Sequence, residues 1–116
     1  MKKLDLLTRD AGGVKVVDIS GFVDRHTLDK LDKELEKIIQ EGCNNIVINC
    51  NDLAYISSNG MGVFIAYLQK VREKGGDIRF CNMKDIGKTV ITVLGLHNLF
   101  KIFDTEEEAV QSFQSS

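Results

Sequence analysis

Between residues 27 and 103 the chain alternates short β-branched apolar runs with longer segments of helical periodicity, and that alternation leaves few folds open. Leu28, Leu31, Leu35, Ile38 and Ile39 recur at three- and four-residue steps, marking a helix that Gly42 stops. Thr27, or Asp24 for an earlier start, is placed to accept from its first amides. Asn45-Ile46-Val47-Ile48-Asn49-Cys50 is too brief for a helix and reads as a buried strand, with residues 51–56 a connection. A second helix is predicted from about Gly60 to Lys74, with Phe64, Tyr67, Leu68 and Val71 on one side and Gly75-Gly76 at its end. Asp77-Ile78-Arg79-Phe80-Cys81 is the next strand. Ile86, Val90, Val93 and Leu94 mark a third helix, stopped by Gly95, and Lys101-Ile102-Phe103 a short edge strand. Asp104 or Thr105 caps a last helix carrying Ala109, Val110 and Phe113, and a frayed tail begins at Ser112.

Two further β-rich runs open the chain, at residues 4–8 and 14–20. Ala11-Gly12-Gly13 between them suits a hairpin turn. The predicted order is β-β-α-β-α-β-α-β-α, an α/β fold. Its sheet of four to five strands is mixed, mostly parallel, with right-handed crossovers. The 116 residues make one domain, 1–116, too short for two independent cores. In such sheets, sites gather at loops leaving the carboxyl ends of strands. The turn over residues 57–60 is one of these.

A formal net charge of -2 with scattered Lys and Arg argues against a nucleic-acid partner. No apolar stretch reaches the roughly 18 residues that span a bilayer, so no membrane partner is expected. Met1-Lys2-Lys3-Leu4-Asp5 has no apolar run behind it to make a signal peptide, and a cytoplasmic location follows. Cys43, Cys50 and Cys81 lack Cys-x-x-Cys spacing and read as small buried hydrophobes. There is no phosphate-cradling glycine loop, and no arginine stands six residues past Cys50 or Cys81 as a thiol phosphatase would need. His26 and His97 have no metal-ligand spacing and read as solvated or satisfied. No metal, no cofactor and no catalysis are expected.

Only one segment breaks local rules. Gly60 and Gly62 fall at the start of the second helix, where each costs about 1 kcal/mol relative to Ala. Backbone strain relieved by glycine is one reason, and close approach by something docking there is another. Ser58 reads either as the N-cap of this helix or as an acceptor for a phosphoryl group, which free amides and the helix dipole would stabilise.

Asp52-Leu53-Ala54-Tyr55-Ile56-Ser57-Ser58-Asn59-Gly60-Met61-Gly62-Val63 resembles the signature of STAS domains, in particular bacterial anti-sigma factor antagonists. Gly21-Phe22-Val23-Asp24 with Thr27-Leu28 resembles that family's turn before its first helix. The resemblance covers nearly the whole chain and implies a STAS-type fold. It further implies a binding protein that docks on an anti-sigma factor serine kinase and frees the sigma factor; a monomer is expected separately, from a compact domain with few odd apolar surface runs. That kinase would inactivate the antagonist by phosphorylating Ser58, and a serine phosphatase would reset it. Asp24, His26, Thr27, Ser57, Asn59, Gly60, Met61 and Gly62 are the implied partner-binding residues. Many antagonists carry aspartate where this chain has Ser57, which makes Ser57 a rival acceptor. Two alternatives stay open: a STAS module of another complex, such as a lipid-transport ATPase or signalling scaffold, without phosphorylation, and a small nucleotide-binding protein or enzyme using the same strand-end pocket.

Overall fold

The computed structural model describes residues 3–114, the side chain of Ile86 excepted. Its elements are β1 (Leu4–Ala11), β2 (Val14–Val23), α1 (Leu28–Gln40), β3 (Asn45–Ile56), α2 (Ser58–Glu73), β4 (Asp77–Cys81), α3 (Asp85–Val93), a 3-10 turn (Leu96–Asn98), β5 (Ile102–Phe103) and α4 (Glu106–Gln114). That is the predicted order, with the 3-10 turn added. Five strands form one sheet in chain order, antiparallel between β1 and β2 and parallel elsewhere. Gly12 and Gly13, at φ of 61° and 89°, close the β1–β2 hairpin with Ala11 opposite Val14. Both must lie in the left-handed region for the turn to follow the strand twist.

Right-handed crossovers between strands wound in chain order put successive crossover helices on one face. There Val17, Ile19, Ile46, Ile48 and Ile78 pack with Leu31, Leu35, Leu68 and Ile91 in the main core. Phe80 meets Phe64 and Phe100 edge-on, at centroid distances of 5.1 and 5.0 Å. Strand alternation sends Val14, Val16, Val47 and Cys81 to the other face, under Ala109 of α4. Tyr67 ties α2 to α1 by donating its hydroxyl to Asp32 Oδ1 at 2.8 Å.

Several expectations need correcting. Residues 51–56 are strand, because β2 runs on to Val23 and pairs with β3 through Ile56. Helix α2 begins at Ser58 and ends at Glu73. Thr27 holds the N-cap position of α1 without capping it: its hydroxyl donates to Phe22 O at 2.8 Å and accepts from the Asp24 amide at 3.0 Å. Asp24 does not cap the helix either, since its carboxylate accepts from the His26 amide at 2.9 Å. At α4 it is Thr105 that caps, exchanging bonds with Glu108 in both directions. Ser112 lies inside α4, accepting from Arg79 at 2.7 Å, so no frayed tail starts there. Ser115 and Ser116 lie outside the described residues, as do Met1 and Lys2.

The α3 stripe is also rotated from the expected one. Ile91 is fully buried, while Val93 is 77% and Leu94 45% exposed. The side chain of Ile86 lies outside the described residues.

Helix α4 is held to the sheet by charge as well as packing. Arg9 grips both oxygens of Asp18, at 2.7 and 2.8 Å, and reaches Glu106 at 2.6 Å. Asn49 adds a 2.9 Å bond to Asp18. The Arg9 guanidinium, more than its partial burial, sets the Asp18 carboxyl below its ordinary value of 3.8. In the pH window between 3.8 and the lower folded value, the unfolded chain takes up a proton that the folded chain refuses. Stability from this group is therefore present above that window and lost as pH falls through it. Asp18→Asn is expected to remove about 1 kcal/mol at neutral pH and to flatten the acid limb of stability. Urea melts of both proteins at neutral pH and across that window check both effects.

Candidate functional site

At the carboxyl ends of β2 and β3 two loops meet. Val23 pairs with Ile56, and the Ser57 amide donates to Val23 O at 2.9 Å, so the loop over residues 24–27 and the start of α2 share one edge. Thr27 closes that loop through Phe22 and Asp24, leaving Arg25 and His26 exposed at its tip. Arg25 Nε approaches His26 Nε2 at 3.5 Å. Among the described residues no group of His, Cys, Asp or Glu could hold a metal ion.

The N-cap of α2 is Ser57, not Ser58. Ser57 has extended backbone (φ -85°, ψ 165°), and its Oγ accepts from the Gly60 amide at 3.1 Å. Only a residue just outside the helix has a side chain placed to reach back to those amides, and Ser58 is already the first helical residue. The two serines thus part company: Ser57 is half-buried and engaged, whereas Ser58 is exposed. Ser57→Ala is expected to cost about 1 kcal/mol, seen as a lower thermal midpoint. Ser57→Asp retains an acceptor at the cap and should leave the midpoint within a degree or two of wild type.

The two glycines part as well. Neither is at positive φ, so relief of backbone strain explains neither. At Gly60 the reason lies inside the fold: a Cβ there would stand 2.6 Å from Val23 Cγ1 and 3.1 Å from Ile56 Cγ1. Gly62 is exposed, and an added Cβ would meet nothing within 4 Å.

The implied partner-binding residues consequently divide. His26, Asn59 and Gly62 are exposed, and Asp24, Thr27 and Ser57 half-buried. Gly60 and Met61 are buried, Met61 completely, so both shape the edge from within and neither offers surface. The periodicity expected for α3 hid one feature. Val93 and Leu94 face out and, with Tyr55 (43% exposed), line a groove of about 260 Å³ that also holds Ser57 and Ser58. Tyr55 stacks obliquely on Phe22 at 6.5 Å.

Cys50 and Cys81 are buried as expected, whereas Cys43 is only half-buried. Burial pushes the Cys81 thiol up to about 12 and raises that of Cys50 further, so both stay protonated at neutral pH.

A sheet wound in chain order, three crossover helices on one face with α4 on the other, and a serine presented at a strand-to-helix turn describe a small docking module. The chain belongs to the STAS domain family, whose model matches residues 5–109. It is 28% identical over 103 residues to the anti-sigma F factor antagonist of Paenibacillus polymyxa, covering 88% of each chain. Its fold matches the crystal structure of an anti-sigma factor antagonist from Mycobacterium paratuberculosis with a TM-score of 0.90 at 21% identity, over 97% of this chain and 96% of that one. The Bacillus cell fate determinant SpoIIAA in its phosphorylated form matches with a TM-score of 0.72 at 20% identity, over 96% and 99% of the chains.

Proposed function

We propose that this chain is an anti-sigma factor antagonist switched by phosphorylation of Ser58. The observation that carries it is the exposed Ser58 hydroxyl on the first residue of α2, in the same groove as the outward Tyr55, Val93 and Leu94. A phosphoacceptor must enter another protein's active site, and an exposed residue on a rigid helix start can do so without local unfolding. An apolar flank gives the visiting protein something to bury. The chain's relatives include an anti-sigma F factor antagonist, and one solved relative in fold is a phosphorylated form.

Unphosphorylated, the antagonist docks on an anti-sigma factor serine kinase and displaces the sigma factor. Within that complex Ser58 Oγ attacks the γ-phosphorus of the kinase's ATP. The bond to the bridging oxygen breaks, ADP leaves, and the hydroxyl proton passes to the kinase's base. The product carries a charge of roughly -1.5 to -2 beside the first amides of α2, where the helix dipole tolerates it. The fold therefore survives while the surface changes. Hydrolysis by a serine phosphatase restores the hydroxyl. The antagonist supplies a surface and an acceptor, acts as a monomer in the cytoplasm, and needs no cofactor of its own.

The test is phosphosite mass spectrometry after incubation with ATP and each anti-sigma factor kinase of the source genome. Label on Ser58, absent from Ser58→Ala, is expected. Full labelling of Ser58→Ala together with none on Ser57→Ala would make Ser57 the acceptor and overturn the assignment.

A further inference from the structure

Asn59-Gly60 is the only Asn-Gly pair in the chain, and the fold itself imposes its second half. Gly60 is buried, and Val23 and Ile56 leave no room for a side chain on it. Whatever stands at position 59 is therefore followed by glycine. Asn59 is exposed, and among the described residues its side chain has no hydrogen-bond partner.

An asparagine before glycine is unusually open to attack on its own side chain. The glycine amide nitrogen is unhindered and can close a five-membered ring on the carboxamide carbon. Two features of a helix oppose this. The Cα–Cβ bond tilts toward the N-terminus, away from the amide that follows, and that amide is tied to a carbonyl four residues back. In α2 the second restraint is missing. Met61 N donates to the N-cap carbonyl, Ser57 O, at 3.1 Å, so the Gly60 amide lies ahead of that bond. Its partner is a side chain instead, Ser57 Oγ at 3.1 Å.

We propose that Asn59 is a site of spontaneous deamidation, and that the Ser57 cap sets its rate. When the first turn opens, Gly60 N loses its proton to solvent base and attacks Asn59 Cγ. The new N–Cγ bond closes a succinimide ring, the Cγ–Nδ2 bond breaks, and ammonia leaves. Water then opens the ring at either carbonyl, giving aspartate or its β-linked isomer at position 59. Solvent is the sole co-reactant, so the site stands apart from the reading of Ser58. The aspartate form adds a negative charge to a first turn that has no acidic residue, where the helix dipole favours it. The β-linked form lengthens the main chain by one atom just before Gly60, and must pull that residue from its slot against Val23 and Ile56. One product keeps the fold and the other damages it.

Ring closure is slow beside the opening and closing of a helical turn, so conversion follows the open population. The purified chain is incubated in mildly alkaline buffer and mapped at intervals by peptide mass spectrometry. Asn59 is expected to convert ahead of every other asparagine. Ser57→Ala stays folded and should convert about five-fold faster, the change in open population that loss of one cap produces. Ser57→Asp, which keeps an acceptor at the cap, should convert at the wild-type rate. Equal rates for wild type and Ser57→Ala would remove Ser57 as the gate. A folded wild-type chain left unconverted, while the same chain in guanidinium chloride converts at Asn59, would overturn the site. Faster conversion at another asparagine would sink it equally.

Discussion

Replacing Ser58 with aspartate is expected to weaken the complex with the anti-sigma factor kinase by about 30-fold or more, whereas Ser58→Ala binds like the wild type and is never labelled. The physical basis is the setting of the residue. Ser58 is exposed in a groove with Tyr55, Val93 and Leu94. Docking would take it out of water against a largely apolar, uncharged surface. Burying an unpaired carboxylate there costs about 2 kcal/mol in a real interface, which corresponds to that 30-fold. A true phosphoserine, with up to twice the charge, should lose more. Neither variant should unfold the protein. Aspartate in the first turn of α2 sits well with the helix dipole, and no acidic residue occupies that turn now. The measurement is titration calorimetry with purified kinase and nucleotide, alongside a thermal melt of each variant. Tight binding by Ser58→Asp at an unchanged melting midpoint would remove charge as the switch.

The largest effect on stability is expected at Gly21. Its φ of +105° lies in the region that L side chains rarely adopt. A Cβ on it would fall inside contact distance of the Lys3 carbonyl oxygen. That same carbonyl accepts from the Phe22 amide at 2.9 Å, which fastens the start of β1 to β2. Gly21→Ala must therefore strain the backbone and push away the partner that holds it. A loss of about 3 kcal/mol or more is expected, measured by urea denaturation. The damage should reach the site, because β2 leads directly into the loop over residues 24–27. Hydrogen exchange ought to show β1 opening first. A loss below 1 kcal/mol would mean that β1 shifts without penalty.

Much of this was legible in the sequence because local rules governed it. Leu31, Leu35 and Ile38 are the buried face of α1 at the spacing their periodicity demanded. Gly12-Gly13 form the hairpin turn because few other pairs can hold positive φ twice. The STAS-like signature over residues 52–63 pointed to the edge where the two strand-end loops do meet. Other features depended on neighbours remote in the chain. Residues 51–56 have no strong strand pattern of their own and are extended because β2 continues beside them. In α3, Val90, Val93 and Leu94 look like core by spacing. Whether Val93 is inside or outside depends on which side of a short helix meets the sheet, and composition cannot encode that.

The sequence by itself determined the α/β class, the strand and helix order and the location of the unusual turn, since backbone propensity and hydrophobic period act over a few residues. Only the tertiary structure decided between the serines and between the glycines. Ser57 is the cap and Ser58 the exposed residue because β3 runs to Ile56 and α2 starts at Ser58, which leaves Ser57 as the one residue between them. Gly60 is small because Val23, more than thirty residues earlier, presses on it, while nothing in the fold presses on Gly62. Steric room at a residue is set by what the fold brings against it.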